Sequence, residues 1–193
     1  MSRKAEIKRK TKETQITLAL DFNSRELSVD TGIGFFDHML TSMFFYARIG
    51  CRINVKGDRY VDGHHTVEDT AIVIGQALKI TLGDKKGIRR FAHCYIPMDE
   101  ALCFTALDLS GRAFLKFDAP MPQERIGEYD SCLTVEFFRA LSANAGITLH
   151  MKALCGDNAH HITEALFKSF GVALREACRI EGDDVTSTKG ILE

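Results

Sequence analysis

The residues best equipped for chemistry are two copies of one short pattern, His-His-x-x-Glu: His64, His65 and Glu68, then His160, His161 and Glu164. On an α-helix successive side chains lie about 100° apart. His64 and Glu68 therefore share a face, while His65 points well away from His64. A single ion rarely accepts both neighbours, so adjacent histidines on a helix suit two different metal ions, with Glu68 in reach of either. Imidazole and carboxylate without thiolate fit manganese, iron, zinc, cobalt or nickel, whereas calcium would want oxygen alone. The order H-H-x-x-E, with H-E-x-x-H absent, separates the pattern from that of the zinc proteases.

Duplication gives the pattern its weight. With a shift of 96 residues, the segments 63–79 and 159–175 agree at His64/His160, His65/His161, Glu68/Glu164, Gly75/Gly171, Ala77/Ala173 and Leu78/Leu174. An isolated His pair is most often structural. The same three ligand types in two otherwise diverged halves point to shared coordination. Upstream, Gly57-Asp58 matches Gly156-Asp157, and DHMLTSMFFYARI (37–49) overlies VEFFRALSANAGI (135–147), which sets His38 opposite Glu136. These two are the further contributors, one per half. His93 and His150 fall outside the repeat and read as structural.

The elements that must position these residues follow from hydrophobic periodicity. Spacings of three and four in Val67, Ile74, Ala77 and Leu78, and in Ile162, Leu166, Phe170, Ala173 and Leu174, predict a helix after each His-His pair. Alternating or β-branched runs predict strands at 15–23, 52–57, 101–109, 113–119 and 147–154. The fold class is α+β, each half reading as strands, a helix, a strand ending in Gly-Asp, and a second helix. The turn GDKKG (83–87) ends the first half, and the second begins near Arg90. The segments GIRRF, LSGR and STKG set Arg, Lys and Ser beside glycine turns, which suits phosphate recognition. Without a P-loop or G-x-G-x-x-G, a nucleotide is not implied.

Composition excludes other classes. A chain of 193 residues, 45% hydrophobic and 26% charged, can bury a core, and its formal net charge of -1 offers no field for nucleic acid or an anionic membrane. The basic opening MSRKAEIKRK reads as a solvated end. No apolar run approaches the roughly 20 residues of a membrane span, and a cytoplasmic location is expected. The six cysteines form no C-x-x-C pair and are expected as reduced, packed thiols.

The motifs GIGFFDHML, DGHHTVEDTAIVIGQAL, PMDEAL with DLSGR, GITLHMKALCGDNAHHITEALFKSF and TSTKG resemble those of the imidazoleglycerol-phosphate dehydratases of histidine biosynthesis, in the same order. The resemblance implies a single domain over 1–193 built from two repeats, about 1–89 and about 90–193. Each repeat would be a four-stranded sheet with helices on one face, similar to the second domain of ribosomal protein S5. It also implies self-association into a 24-mer with two Mn²⁺ ions per active site, between subunits. The implied metal ligands are His38, His64, His65, Glu68, Glu136, His160, His161 and Glu164. Glu13, Glu68 and Glu164 are the implied acid/base candidates, with Glu13, in TKETQI, also a substrate contact. Arg90, Arg112, Lys168, Ser187 and Lys189 are implied contacts to substrate and its phosphate. The sequence departs from many members at Glu136 and Tyr46, where they carry His.

The implied reaction converts D-erythro-imidazole-glycerol phosphate to imidazole-acetol phosphate by loss of water. The hydrogen to be removed is not acidic, so direct base catalysis would be slow. Metal on both ring nitrogens would favour the imidazolate, by the Lewis-acid effect that acidifies metal-bound water. The electron-rich ring would expel hydroxide to a diazafulvene, and loss of the adjacent proton would give an enol that tautomerises. A metal-loaded structural shell would need no Arg90, Arg112 and Lys189 converging on the site. An RNA-binding module, the other reading open to an S5-like fold, lacks the charge and the aromatic-basic surface.

Overall fold

The computed structural model describes residues 3–192, in which one topology occurs twice. The first half comprises strands β1 (Lys4–Lys10), β2 (Thr14–Asp21) and β3 (Leu27–Asp30), helix α1 (Gly34–Ala47), strand β4 (Gly50–Gly57) and helix α2 (His64–Leu82). The second comprises β5 (Phe91–Met98), β6 (Ala101–Asp108), β7 (Phe114–Asp118), a small hairpin of β8 (Arg125–Ile126) and β9 (Tyr129–Asp130), α3 (Leu133–Ala145), β10 (Thr148–Cys155) and α4 (Ala159–Ala177). The sheets have the orders β1-β2-β4-β3 and β5-β6-β10-β7. In each, the last pair is parallel and the others antiparallel. A parallel pair needs a crossover, and α1 and α3 supply it.

Alternation decides which face each strand buries. In β2, Thr14, Ile16, Leu18 and Leu20 point inward, and in β6, Ala101, Cys103, Thr105 and Leu107 do so. The helices cover these inner faces: α2 lies on β1 and β2, and α4 on β5 and β6. Across the halves, α2 packs on α3 and α1 on α4. Fully buried Phe36, Phe44, Phe137, Phe138, Phe167 and Phe170 fill this helical middle, each worth about 1.5–3 kcal/mol in transfer free energy. Gly75 and Gly171, identical in the repeat, sit at the two crossings. A Cβ on Gly75 would lie 2.8 Å from the Leu141 carbonyl, and one on Gly171 would lie 2.3 Å from the Met43 carbonyl.

From Lys4 to Lys10 the basic opening forms an edge strand and not a solvated end. Ala5, Ile7 and Arg9 of β1 turn toward the helices while Lys4, Glu6, Lys8 and Lys10 face out. Exposed lysines on an edge also discourage pairing with another chain. Arg9 and Thr14 both donate to the Asp69 carboxylate of α2, which ties the β1–β2 turn to that helix. All six cysteines are free thiols. Among the described residues, no helix is long and apolar enough to cross a membrane.

Candidate active site

The four helix N-termini meet at one end of the molecule. A Cβ on Gly63, just before α2, would touch Ile33 before α1 at 3.3 Å and Leu133 of α3 at 3.4 Å. The Phe35 ring of α1 lies 4.9 Å from His160 of α4 and 5.3 Å from the buried Tyr129. Caps fix where the His-His pairs begin. Asn158 Oδ1 accepts from the backbone N–H of His160 and His161, and Asp62 Oδ1 accepts from that of His64. Asp37 Oδ1 accepts from the N–H and hydroxyl of Thr31, which anchors the turn bearing His38.

Here His38 from the first half joins His160 and Glu164 from the second. Their donor atoms lie within 4.8 Å of one another. Glu164 Oε2 is 3.4 Å from His38 Nε2 and 3.2 Å from His160 Nε2. Its other oxygen accepts from Lys168 Nζ at 2.7 Å. Burial works against ionisation of Glu164, yet the hydrogen bond and charge of Lys168, with His38 and His160, hold its carboxyl below the usual range. Two imidazoles and a carboxylate converging on one point fit a divalent cation of the manganese-to-zinc series. Lys168 Nζ also lies 5.7 Å over the Tyr46 ring.

The first half offers the corresponding parts in looser form. His64 Nε2 is 3.7 Å from Glu68 Oε2, four residues on. Glu136 occupies on α3 the place His38 holds on α1, but its carboxylate is engaged by Arg139. In both halves the neighbouring imidazoles diverge: the rings of His64 and His65 stand at 86°, those of His160 and His161 at 77°.

His65 and His161 are held by carboxylates that sequence reasoning missed. Asp58 Oδ2 accepts from His65 Nδ1 at 3.1 Å, and Glu100 Oε2 accepts from His161 Nδ1 at 2.7 Å. That pairing fixes the tautomer and leaves Nε2 as the ring nitrogen that could hold a metal. The hydrogen bonds to Asp58 and to Glu100 raise the two histidines above their ordinary range, and His161 lowers Glu100 to about 2. Glu13, in the β1–β2 turn, has Oε1 3.9 Å from His65 Nε2, and Asp99, in the β5–β6 turn, has Oδ2 3.6 Å from His161 Nε2. The signal for Glu100 lay in PMDEAL, but the helical spacing that exposed the histidines does not extend to a turn.

The basic candidates gather elsewhere. Arg90, Arg112, Ser187 and Lys189 line one cavity of about 410 Å³, together with Ser110 and Thr188. None of the metal-ligand candidates lines it, nor does Lys168. Arg90 grips Asp108 through Nε at 2.7 Å and Nη2 at 3.1 Å, and its Nη1 donates to the Thr186 carbonyl at 2.6 Å. It thus pins the C-terminal segment that carries Ser187 and Lys189.

A sequence model of the imidazoleglycerol-phosphate dehydratases matches residues 31–174. The chain belongs to this family. Among curated relatives, the imidazoleglycerol-phosphate dehydratase of Acetivibrio thermocellus is 53% identical over the full length of both chains. That of Streptococcus sanguinis is 50% identical, over 98% of this chain and 100% of its own. The solved dehydratase of Staphylococcus aureus superposes with a TM-score of 0.84 at 38% identity, covering 92% of this chain and 99% of that one. The Pyrococcus furiosus enzyme, in complex with (S)-C348, gives 0.85 at 36%, covering 96% and 100%. This imidazoleglycerol-phosphate dehydratase family member is therefore a hydro-lyase of histidine biosynthesis. The enzymes of the family are metal-dependent, and the His38–His160–Glu164 group is a fitting place for a metal.

Proposed function

We propose that the enzyme works with two Mn²⁺ ions per active site, held by pseudo-equivalent half-sites, and that each site is completed between subunits of a 24-subunit shell. One half-site comprises His38, His160 and Glu164, and the other Glu136, His64 and Glu68, with His161 and His65 each going to the ion of the opposite half-site. The divergent rings support giving one histidine of each pair to each ion. The observation that carries the reading is a separation. Arg90, Arg112, Ser187 and Lys189 share a cavity with no metal-ligand candidate, so one chain supplies both functions in different places. A substrate joining ring and phosphate would be gripped by more than one subunit. We also read 1–193 as a single domain of two repeats, in the cytoplasm.

When bound, the metal ions would withdraw electron density from the imidazole ring and favour loss of its N–H at neutral pH. The chain's own groups do the rest. Asp58 and Glu100 leave Nε2 of His65 and His161 available to a metal. Lys168 keeps Glu164 ionised. Glu13, whose Oε1 is 3.9 Å from His65 Nε2, would protonate the departing hydroxyl and then, as the carboxylate, take the proton from the carbon next to the ring. Glu68 and Glu164 are the other carboxylates within reach of the reacting end. Arg112 and Lys189, with no ion-pair partner among the described residues, supply the phosphate charge, while Arg90 chiefly shapes the pocket.

His161→Ala is the direct test. It should lower bound metal and abolish dehydration, whereas Arg112→Ala should leave metal in place and raise KM by about tenfold or more. Full activity in His161→Ala would overturn the two-ion reading.

A further inference from the structure

We infer that a second cavity, at the opposite end of α1 and α4 from the metal ligands, binds a multiply charged anion of the phosphate class. The cavity measures about 410 Å³, within the range of small-molecule sites. Five arginines line it, Arg3, Arg25, Arg48, Arg175 and Arg179, against one acid, Glu176. Five guanidinium charges less one carboxylate leave four. The C-termini of α1 and α4 each contribute about half a negative charge, so roughly three positive charges remain uncompensated.

The contacts show how little of this charge is matched internally. Glu176 is shared by Arg175 at 3.0 Å and Arg179 at 3.1 Å, with Arg89 at 3.7 Å. Arg25 donates to the carbonyls of Phe22 and Ser24. Arg3 lies over the Phe22 ring at 4.2 Å, and its Nη2 is buried without a hydrogen-bond partner. The ion pairs of the cavity leave Arg48 with none among the described residues.

Arg48 carries a second sign. It closes α1 in the left-handed region with φ 55, a conformation that L side chains rarely adopt. The equivalent residue closing α3 is Gly146, at φ 67. One repeat thus uses the residue that backbone geometry favours, and the other holds an arginine there, facing a cavity already rich in arginine. Backbone strain of this kind often marks a site where the side chain is needed. Guanidinium forks grip carboxylate and phosphate oxygens alike two at a time, and it is the roughly three uncompensated charges that favour a phosphate-type dianion over a lone carboxylate.

The test is calorimetry on the manganese-loaded enzyme with ribose 5-phosphate, and with sulfate as a bare dianion that does not strip the metal. Two classes of site per chain are expected with each probe. Arg112→Ala should remove one class. Arg48→Gly, which suits the left-handed backbone, should keep the melting temperature and basal activity while weakening the other class by about tenfold or more. Tighter binding of ribose 5-phosphate than of sulfate would assign a phosphorylated metabolite, and equal binding the inorganic ion. A single class that vanishes in Arg112→Ala overturns the proposal. So does an Arg48→Gly variant that binds both probes as before, whatever its melting temperature.

Discussion

Glu100 does for His161 what Asp58 does for His65, from a different element. Asp58 follows β4, and its sequence equivalent Asp157 follows β10, but in the second half the orienting carboxylate comes from the β5–β6 turn. Duplication has kept the hydrogen bond and moved its source. The pair has a defined pH signature in the metal-free protein. Glu100 is held near 2 against an ordinary 4.5, so its contribution to stability is present above 4.5 and lost as pH falls toward about 2. His161 is raised above its ordinary 6.5, so its contribution is complete below 6.5 and lost as pH rises through the raised value. Glu100→Gln should bring the His161 titration midpoint, followed by NMR without metal, down toward 6.5. It should also weaken metal binding by about 10- to 100-fold in a chelator competition. An unmoved midpoint would remove Glu100 from its orienting role.

The elements act chiefly by how closely they approach. Gly171 lets α4 lie against the α1 backbone, and that contact holds His38 within 3.4 Å of Glu164. Gly171→Ala would press a methyl onto the Met43 carbonyl, a backbone atom that cannot turn aside, at a cost of about 1–3 kcal/mol. Thermal melting and manganese affinity should therefore fall together. Gly182→Ala, with open space around the added methyl, should change neither. If Gly171→Ala lost stability but bound manganese as before, the helix crossing would not set the site. Gly75 and Gly171 were legible in the sequence as repeated identities, although their purpose was not, since a close backbone approach leaves no periodic trace. Strands β2, β4, β6, β7 and β10 could be read because each alternates or carries β-branched residues. β1 could not: its inward side is Ala5, Ile7 and Arg9 among lysines, and the arginine there is satisfied by Asp69, some 60 residues away.

At the scale of the whole molecule, the duplicated sheets place two His-His-x-x-Glu helices with their N-termini together, and each helix borrows a neighbour from the other half. The histidines and Glu164 were readable from repetition alone. Arg90, Arg112, Ser187 and Lys189 were readable as groups suited to a phosphate, but their convergence was not, because they come from three separate segments with no common spacing; the shared cavity supports it. On the two-ion proposal, the similar half-sites must both be filled for one turnover. The most direct measurement is to strip the enzyme with chelator and titrate Mn²⁺ back, recording bound metal per active site and dehydration of imidazoleglycerol phosphate at each step. Activity should return only as the second ion per site fills. Full activity with one ion per site, or in the stripped enzyme, would overturn the two-ion proposal.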